Sequence, residues 1–405
     1  MTDWVRILAA TSLLQTASAF LTRIVPTLAP VLTAEAGIEP EFVGHLWAIT
    51  ILGTTLFIMF GAPYVRRSGP IRVLQIAGLF GSAGALFIDF PHWTTLALAS
   101  LLIGIAYGPS PIAGNSVLDR HTPRRNRSLM FSIKQAGAPF GGALAGLVLP
   151  LLMGWVSWRL TIVIAAALAA IPVLLVQPLR QRIDAERDPQ QSVSLRYVLS
   201  LANIAVPFRS LRLAPELPGL NIAAALLSVT QGVLFAFLVT YGVQELGLDL
   251  ARAGLMFSVM QAVGIPGRIL LGWICDRLGS ATLTLHVVSW TAAATSIVLA
   301  VATPAWPLWA LLTVSGLTGL TAASWMGIYL AEVARLVPTG TVGEAMAGSS
   351  LLPSAAYMAG PTLFAGLVAL TGSYRLGFIV GGVIALAAVA ALAAAQRRGT
   401  QSRRD

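Results

Sequence analysis

Residues 218–245, PGLNIAAALLSVTQGVLFAFLVTYGVQE, carry a single charge, the glutamate at their very end. A helix of that length rises about 42 Å at about 1.5 Å per residue. The hydrocarbon core of a bilayer is about 30 Å thick. The stretch therefore reads as a membrane span with length to spare, which tilt absorbs. Working outward, the same reading places spans at 252–275, 281–303, 306–331, 343–370 and 374–395. Upstream they fall at 5–32, 42–63, 71–89, 94–117, 129–152 and 159–177.

Twelve spans with short loops use up nearly all of the 405 residues. Composition agrees: 56% of the chain is hydrophobic and 10% is charged, against about 25% charged in soluble domains. So apolar a chain cannot cover a water-facing surface with polar groups, so lipid must face much of it. The formal charge of +10 would suggest nucleic acid in a soluble protein. Here the cations collect in alternate loops, as membrane orientation requires, and no nucleic-acid partner is expected. The first apolar segment is too long and too interrupted by polar residues for a secretory signal, and reads as the first span. One cysteine, Cys275, excludes an internal disulfide.

Arginines fix the expected orientation. Arg66, Arg67 and Arg72 lie between spans 2 and 3, and Arg120, Arg124, Arg125 and Arg127 between spans 4 and 5. More follow in the middle segment and in the C-terminal tail. The opposite loops hold Arg159, Arg252 and Arg375 beside acids such as Glu35, Glu39 and Glu245. This bias places both termini in the cytoplasm of a multi-pass protein of the inner (plasma) membrane, with an even number of spans.

The chain also repeats itself. Trp158-Arg159-Leu160 opens span 6 and Tyr374-Arg375-Leu376 opens span 12. Ala145-Gly146-Leu147-Val148 in span 5 returns as Ala365-Gly366-Leu367-Val368 in span 11. Gly61, Arg66 and Gly69 after span 2 return as Gly272, Arg277 and Gly279 after span 8. Similar offsets in one order argue for parallel halves of six spans each. The expected fold is all-α and integral to the membrane: twelve transmembrane helices in two pseudo-symmetric six-helix bundles. The N-terminal bundle is expected over 1–177, a linker over 178–216 and the C-terminal bundle with a short basic tail over 217–405. Asp184, Glu186, Arg187, Asp188 and Pro189 read as a solvated stretch of the linker. Leu195, Val198, Leu199 and Ala202 recur at helical spacing, as in a helix lying on the membrane surface.

Gly272-Trp273-Ile274-Cys275-Asp276-Arg277-Leu278-Gly279 resembles the signature loop of the major facilitator superfamily, in which a glycine is followed by Asp-Arg and a second glycine. The resemblance implies a secondary transporter working by alternating access. It also implies gating roles for Gly272, Asp276 and Arg277: close helix approach at the glycine and a charge latch at the helix end. The first-half loop, Gly61 to Gly69, has Val65 where the acid is expected. Gly137-Ala138-Pro139-Phe140-Gly141-Gly142 in span 5 is similar to the family's glycine-proline element.

Arg23, Lys134 and Arg268 fall inside predicted spans, where ionisable residues are costly and functional by default. No acid is predicted at mid-depth to balance them, so an anionic cargo is the economical partner. The guanidinium fork suits carboxylate or phosphate. Arg23 followed by Pro30, Gly37 and Gly44 resembles the first span of organophosphate:phosphate antiporters, where the arginine grips phosphate. Arg268 is similar in position to an arginine of oxalate and monocarboxylate carriers. Structural uses stand beside these readings: Arg23 capping carbonyls freed by Pro26 and Pro30, Lys134 snorkelling to the interface, Arg268 bracing the Asp276 loop. Gln135, Gln231 and Tyr329 are further candidates for lining a substrate cavity. Gln15, Gln261, Asn115 and Trp325 could line it as well, and for all of these residues interhelical bonding or packing is the alternative use.

No phosphate-cradling Gly-Lys-Ser/Thr loop occurs, so ATP drive is not expected. The four histidines show no metal-ligand spacing with Cys275, and no nucleophile, base and acid assemble as a catalytic set. The expected protein is a monomeric carrier of a small organic anion, with no cofactor and no enzyme activity. A proton is the candidate coupling ion; anion exchange would need none. The rival expectation is a drug:proton antiporter of the same fold.

Overall fold

The computed structural model describes residues 3–121, 127–193, 213–338 and 341–402. Among them every regular element is helical. The proposed surface helix around 195–202 lies outside the described residues, as do Arg124 and Arg125. The chain separates into two compact units, Met1–Leu199 and Ser200–Asp405. Their boundary falls within the stretch expected to link the halves.

Unit 1 contains α1 (Asp3–Thr22), α2 (Ile24–Ala36), α3 (Val43–Phe60), α4 (Ala62–Ser68), α5 (Pro70–Leu86) and α6 (Trp93–Tyr107). It continues with α7 (Pro109–His121), α8 (Arg127–Met153), α9 (Trp158–Leu175) and α10 (Gln177–Ile183). Unit 2 contains α11 (Leu217–Gln244), α12 (Leu250–Leu278), α13 (Ala281–Val301), α14 (Leu308–Leu320), α15 (Met326–Leu336), α16 (Val342–Thr371) and α17 (Tyr374–Ser402). Helix starts follow their capping residues. Ser157 accepts from the Leu160 N–H, Asp249 from Arg252 and Ser280 from Leu283, satisfying donors that the first turn leaves free.

Eleven helical stretches among the described residues are long and apolar enough to cross a bilayer. They fall within a few residues of the spans read from sequence. The exception is the tenth, expected as one helix over 306–331. It is divided: α14 has only 13 residues, turns occupy 321–325 and α15 follows. Other spans are interrupted too. Pro26 lacks an N–H and its ring collides with the carbonyl four residues back, that of Thr22, so span 1 divides at Arg23 into α1 and α2. Pro109 acts in the same way between α6 and α7, with Gly108 at the joint.

The two units are wired alike. In unit 1, α1 packs on α8, α3 on α6, and α5 on α9; in unit 2, α11 packs on α16, α12 on α14, and α13 on α17. Span 1 thus meets span 5 as span 7 meets span 11, and the other pairs correspond likewise. The repeat visible in the sequence is a repeat of packing. Small residues set the closest approaches. A side chain at Gly319 would overlap the Met260 carbonyl, drawing α14 against α12.

The stretch after span 6 corrects one expectation. Asp184 is not solvated: it is 4% exposed. Its carboxylate accepts from the backbone N–H groups of Ile71 and Arg72, both at 2.9 Å. The Asp188 N–H donates to the Arg66 carbonyl at 2.9 Å. Asp184 and the neighbouring Ile183 are buried against unit 1, while Arg187, Asp188 and Pro189 are exposed as expected. The Asp184 carboxylate occupies the N-terminus of α5, whose orphan donors need a partner and whose dipole favours negative charge.

Candidate functional site

In unit 1, the break at the end of α1 positions Arg23. Its side chain is 9% exposed, and its guanidinium carbon lies 4.5 Å from the centroid of the Trp47 ring on α3. The ring face offers a cation about 2 kcal/mol when the pair is desolvated. The guanidinium is therefore held in a defined place inside unit 1, against the Trp47 ring. Trp47 was not singled out from sequence. Near the start of a span, a tryptophan reads as part of the interfacial aromatic belt.

The remaining unit 1 residues form two other clusters. Gln15 on α1 donates to Gln135 on α8 at 3.3 Å; Gln15 is buried and Gln135 exposed. The seam between these helices is tight, because a side chain at Gly137 would lie 3.0 Å from the Ser12 carbonyl. Lys134 does not snorkel. It is fully buried, and Nζ donates to the Ser110 carbonyl on α7 at 2.8 Å. Gly114 gives it room: a side chain there would lie 2.8 Å from the lysine Cε. Gln15 precedes Arg23 by two helical turns, about 12 Å. Arg23 and the Gln15–Gln135 pair thus stand at different depths of unit 1.

In unit 2, the polar residues gather on the turn that divides span 10. The Ser324 hydroxyl reaches the Gly264 carbonyl at 3.0 Å and the Gly319 carbonyl at 2.7 Å. Gln231 on α11 donates to the Ala323 carbonyl at 3.5 Å. Gly267 admits the turn, since a side chain there would lie 2.9 Å from the Ser324 Oγ. Arg268 follows immediately on α12, just past Pro266, and is half-buried. Gln261 lies on the same face of α12, seven residues before Arg268. Gln261 and Trp325 are both buried, and neither Gln261 Nε2 nor the Trp325 indole N–H has an acceptor among the described residues.

Two expectations do not match their positions. Tyr329 lines no accessible surface. It is fully buried, and its hydroxyl lies 2.6 Å from the Ser349 carbonyl and 2.8 Å from Asn221 Oδ1, so it braces α15 against α16 and α11. Gly272 marks no close helix approach, because a side chain there would meet no atom within 4 Å. The tight contact on α12 is at Gly267, where a side chain would lie 2.9 Å from the Ser324 Oγ. Asp276 and Arg277 are exposed at the end of α12, with the Arg277 guanidinium 5.0 Å from the Trp273 ring centroid.

Membrane-length helices in two units wired alike, with a cation buried at the break of the first span, fit a polytopic membrane carrier. The chain belongs to the Major Facilitator Superfamily, whose family-wide sequence model matches residues 10–331. It is a transporter, not an enzyme. It is similar to the gallate transporter of Pseudomonas putida, 26% identical over 62% of this chain and 61% of the relative. The match thus spans about three fifths of that protein. It is also similar to the hexuronate transporter of Bacillus subtilis, 23% identical over 88% of this chain and 86% of the relative. In fold it resembles a bacterial homologue of the human lysosomal transporter Spinster, with a TM-score of 0.75 at 15% identity. That match covers 99% of this chain and 98% of the other.

Proposed function

We propose that this transporter carries a small organic carboxylate, gripped through Arg23 in unit 1 and Arg268 in unit 2. The observation that carries the reading is Arg23 itself, a guanidinium buried at the break in the first span and backed by Trp47. A cation in that setting attracts a carboxylate strongly, because few waters compete for its donors. The printed substrates of the two curated relatives, gallate and hexuronate, both bear a carboxylate, which supports the reading. Neither relative is a drug antiporter, so the rival expectation gains nothing from them. In this reading Gln135 is an accessible polar contact and Gln231 supports the divided span 10. Lys134, sealed beneath Gly114, adds positive potential without touching cargo.

The proposed setting is the inner (plasma) membrane with both termini in the cytoplasm, following the arginine-rich loops. Asp276 and Arg277 then form the latch at the cytoplasmic end of α12. A proton is the proposed coupling ion.

The test is uptake of radiolabelled gallate, 4-hydroxybenzoate and glucuronate into proteoliposomes by wild type, Arg23→Ala and Arg268→Ala. Saturable uptake of at least one carboxylate by wild type is expected, with loss in both variants. Wild-type uptake unchanged in both variants would exclude these arginines from the site. Extrusion of cationic drugs with no carboxylate flux would select the antiporter instead.

A further inference from the structure

We propose that Asp184 is a positioning residue of the transport cycle. It fixes the chain leaving span 6 to the loop between spans 2 and 3, and so supplies from elsewhere the acid which that loop lacks at position 65. The inference rests on the chain being a carrier and not on the identity of its cargo.

The loop is built to receive this carboxylate. Gly69 has φ +93°, a conformation in which a side chain is strained. A side chain there would also strike Asp184, lying 2.6 Å from its Cβ and 2.7 Å from Oδ1. With glycine at that point, Asp184 reaches over the backbone to the N–H groups of Ile71 and Arg72. Glycine has no side chain with which to cap α5, and Pro70 has no N–H to offer. The cap must come from a distant residue.

Val65 shows why the loop does not carry the acid itself. It is buried in an apolar cluster with Ile71, Val73, Leu74, Val176 and Ile183. A carboxylate at 65 would enter that cluster unsolvated. Ile183 fills the apolar space and Asp184, the next residue, brings the charge to the rim. A second junction flanks the first: Gln75 Nε2 donates to the Val173 carbonyl at 2.8 Å and to Gln177 Oε1 at 3.0 Å. Arg180 and Arg187 add positive charge around the carboxylate.

The consequence follows from connectivity. The chain runs on from Asp188 toward unit 2, and Asp184 and Asp188 fasten it to the segment joining spans 2 and 3. Without the cap, that fastening rests on the Asp188 N–H and the Gln75–Gln177 contact alone.

The test uses the full-length chain in proteoliposomes. Spin labels at Trp155→Cys and Ala305→Cys, both exposed positions, in a Cys275→Ser background read the distance distribution between the units without any cargo. Asp184→Asn keeps the size and removes the charge. It is expected to change the relative populations of the distance distribution by about threefold or more. A distribution superimposable on wild type overturns the proposal. Should Asp184→Asn fail to fold, Gln75→Ala with Gln177→Ala loosens the same junction. The same change is then expected, and an unchanged distribution overturns the proposal.

With a carboxylate that the wild type carries, Asp184→Asn is expected to lower the maximal rate about fivefold and leave KM within about twofold. Asp184→Glu should restore part of the rate. A raised KM at an unchanged maximal rate overturns the assignment, since it would place Asp184 in substrate binding. If the wild type carries no carboxylate, the anion reading fails and the label measurement still decides this one.

Discussion

The loops after span 2 and span 8 occupy corresponding places in two similarly wired units, yet they are closed by different means. In unit 2 the helix after the loop is capped from next door, Ser280 accepting from the Leu283 N–H at 3.2 Å. In unit 1 the corresponding position is Gly69, and the cap comes from Asp184, more than a hundred residues away. A local cap stabilises one helix. A remote cap stabilises the helix and also binds two distant parts of the chain together. The asymmetry extends to the acids: Asp276 is exposed at the end of α12, whereas Val65 has joined the core. Similar packing therefore does not imply equivalent helix ends.

The largest expected effect concerns the same asymmetry at the cations. Arg23 is buried over Trp47, and Arg268 is half-buried. Arg23→Ala is expected to lower carboxylate uptake, measured as the maximal rate divided by KM, about 100-fold, or about 2.7 kcal/mol of lost stabilisation. Arg268→Ala is expected to lower it about tenfold. Equal losses would mean that the two arginines serve uptake alike despite their different burial.

The caps come next. Asp184→Ala removes two hydrogen bonds to a buried carboxylate and leaves the Ile71 and Arg72 N–H groups without it, an expected cost of about 2–3 kcal/mol. Ser280→Ala removes one exposed cap, about 1 kcal/mol. Thermal unfolding in detergent, followed by intrinsic fluorescence, should show the larger drop in Tm for Asp184→Ala. A larger drop for Ser280→Ala would break the comparison between remote and local capping.

How much of this was legible in the sequence differs between fold and site. Span positions, the two-unit repeat and the family resemblance follow from long apolar runs, matching offsets and the Gly272–Gly279 loop, because lipid leaves few alternatives. The break at Arg23 was signalled by Pro26. The break at 321–325 had no proline to announce it; it rests on the Ser324 hydroxyl taking carbonyls from two helices. Asp184 looked solvated because its neighbours Glu186, Arg187 and Asp188 are charged, and charge density says nothing about a distant helix end needing a cap. Trp47 as the seat of Arg23 was hidden for the same reason: long-range contacts between spans leave no local pattern. Tyr329 was misplaced because the polar partner of its hydroxyl, Asn221, lies 108 residues away.

The glycines on α12 give a smaller and opposite-signed pair. A methyl at Gly267 would press on Leu320 Cα at 3.0 Å and on Ser324 Oγ. Gly267→Ala is expected to destabilise unit 2 by about 1–3 kcal/mol. At Gly272 the space is open, and Gly272→Ala should be neutral or stabilising by up to about 1 kcal/mol through helix propensity. Destabilisation by Gly272→Ala would show that its helix face meets another surface during the cycle, restoring the close-approach role expected from the signature loop.

The finest test concerns pH and acts on Asp184 alone. Burial pushes its carboxyl above the ordinary carboxylate range, against the pull of the Ile71 and Arg72 N–H groups and of Arg180 and Arg187. A raised value means that the folded protein binds the proton more readily than the unfolded chain does. By linkage, this group's contribution to stability is fully present below the ordinary carboxylate pKa and is lost as pH rises through the raised one. The Tm of wild type minus that of Asp184→Asn should therefore increase as pH falls from neutral into the carboxylate range. Ser280→Ala, which removes no titrating group, should run parallel to wild type over the same interval. A difference that instead shrinks on acidification would mean that the two backbone donors and the flanking arginines outweigh burial. Asp184 would then hold its charge throughout that interval.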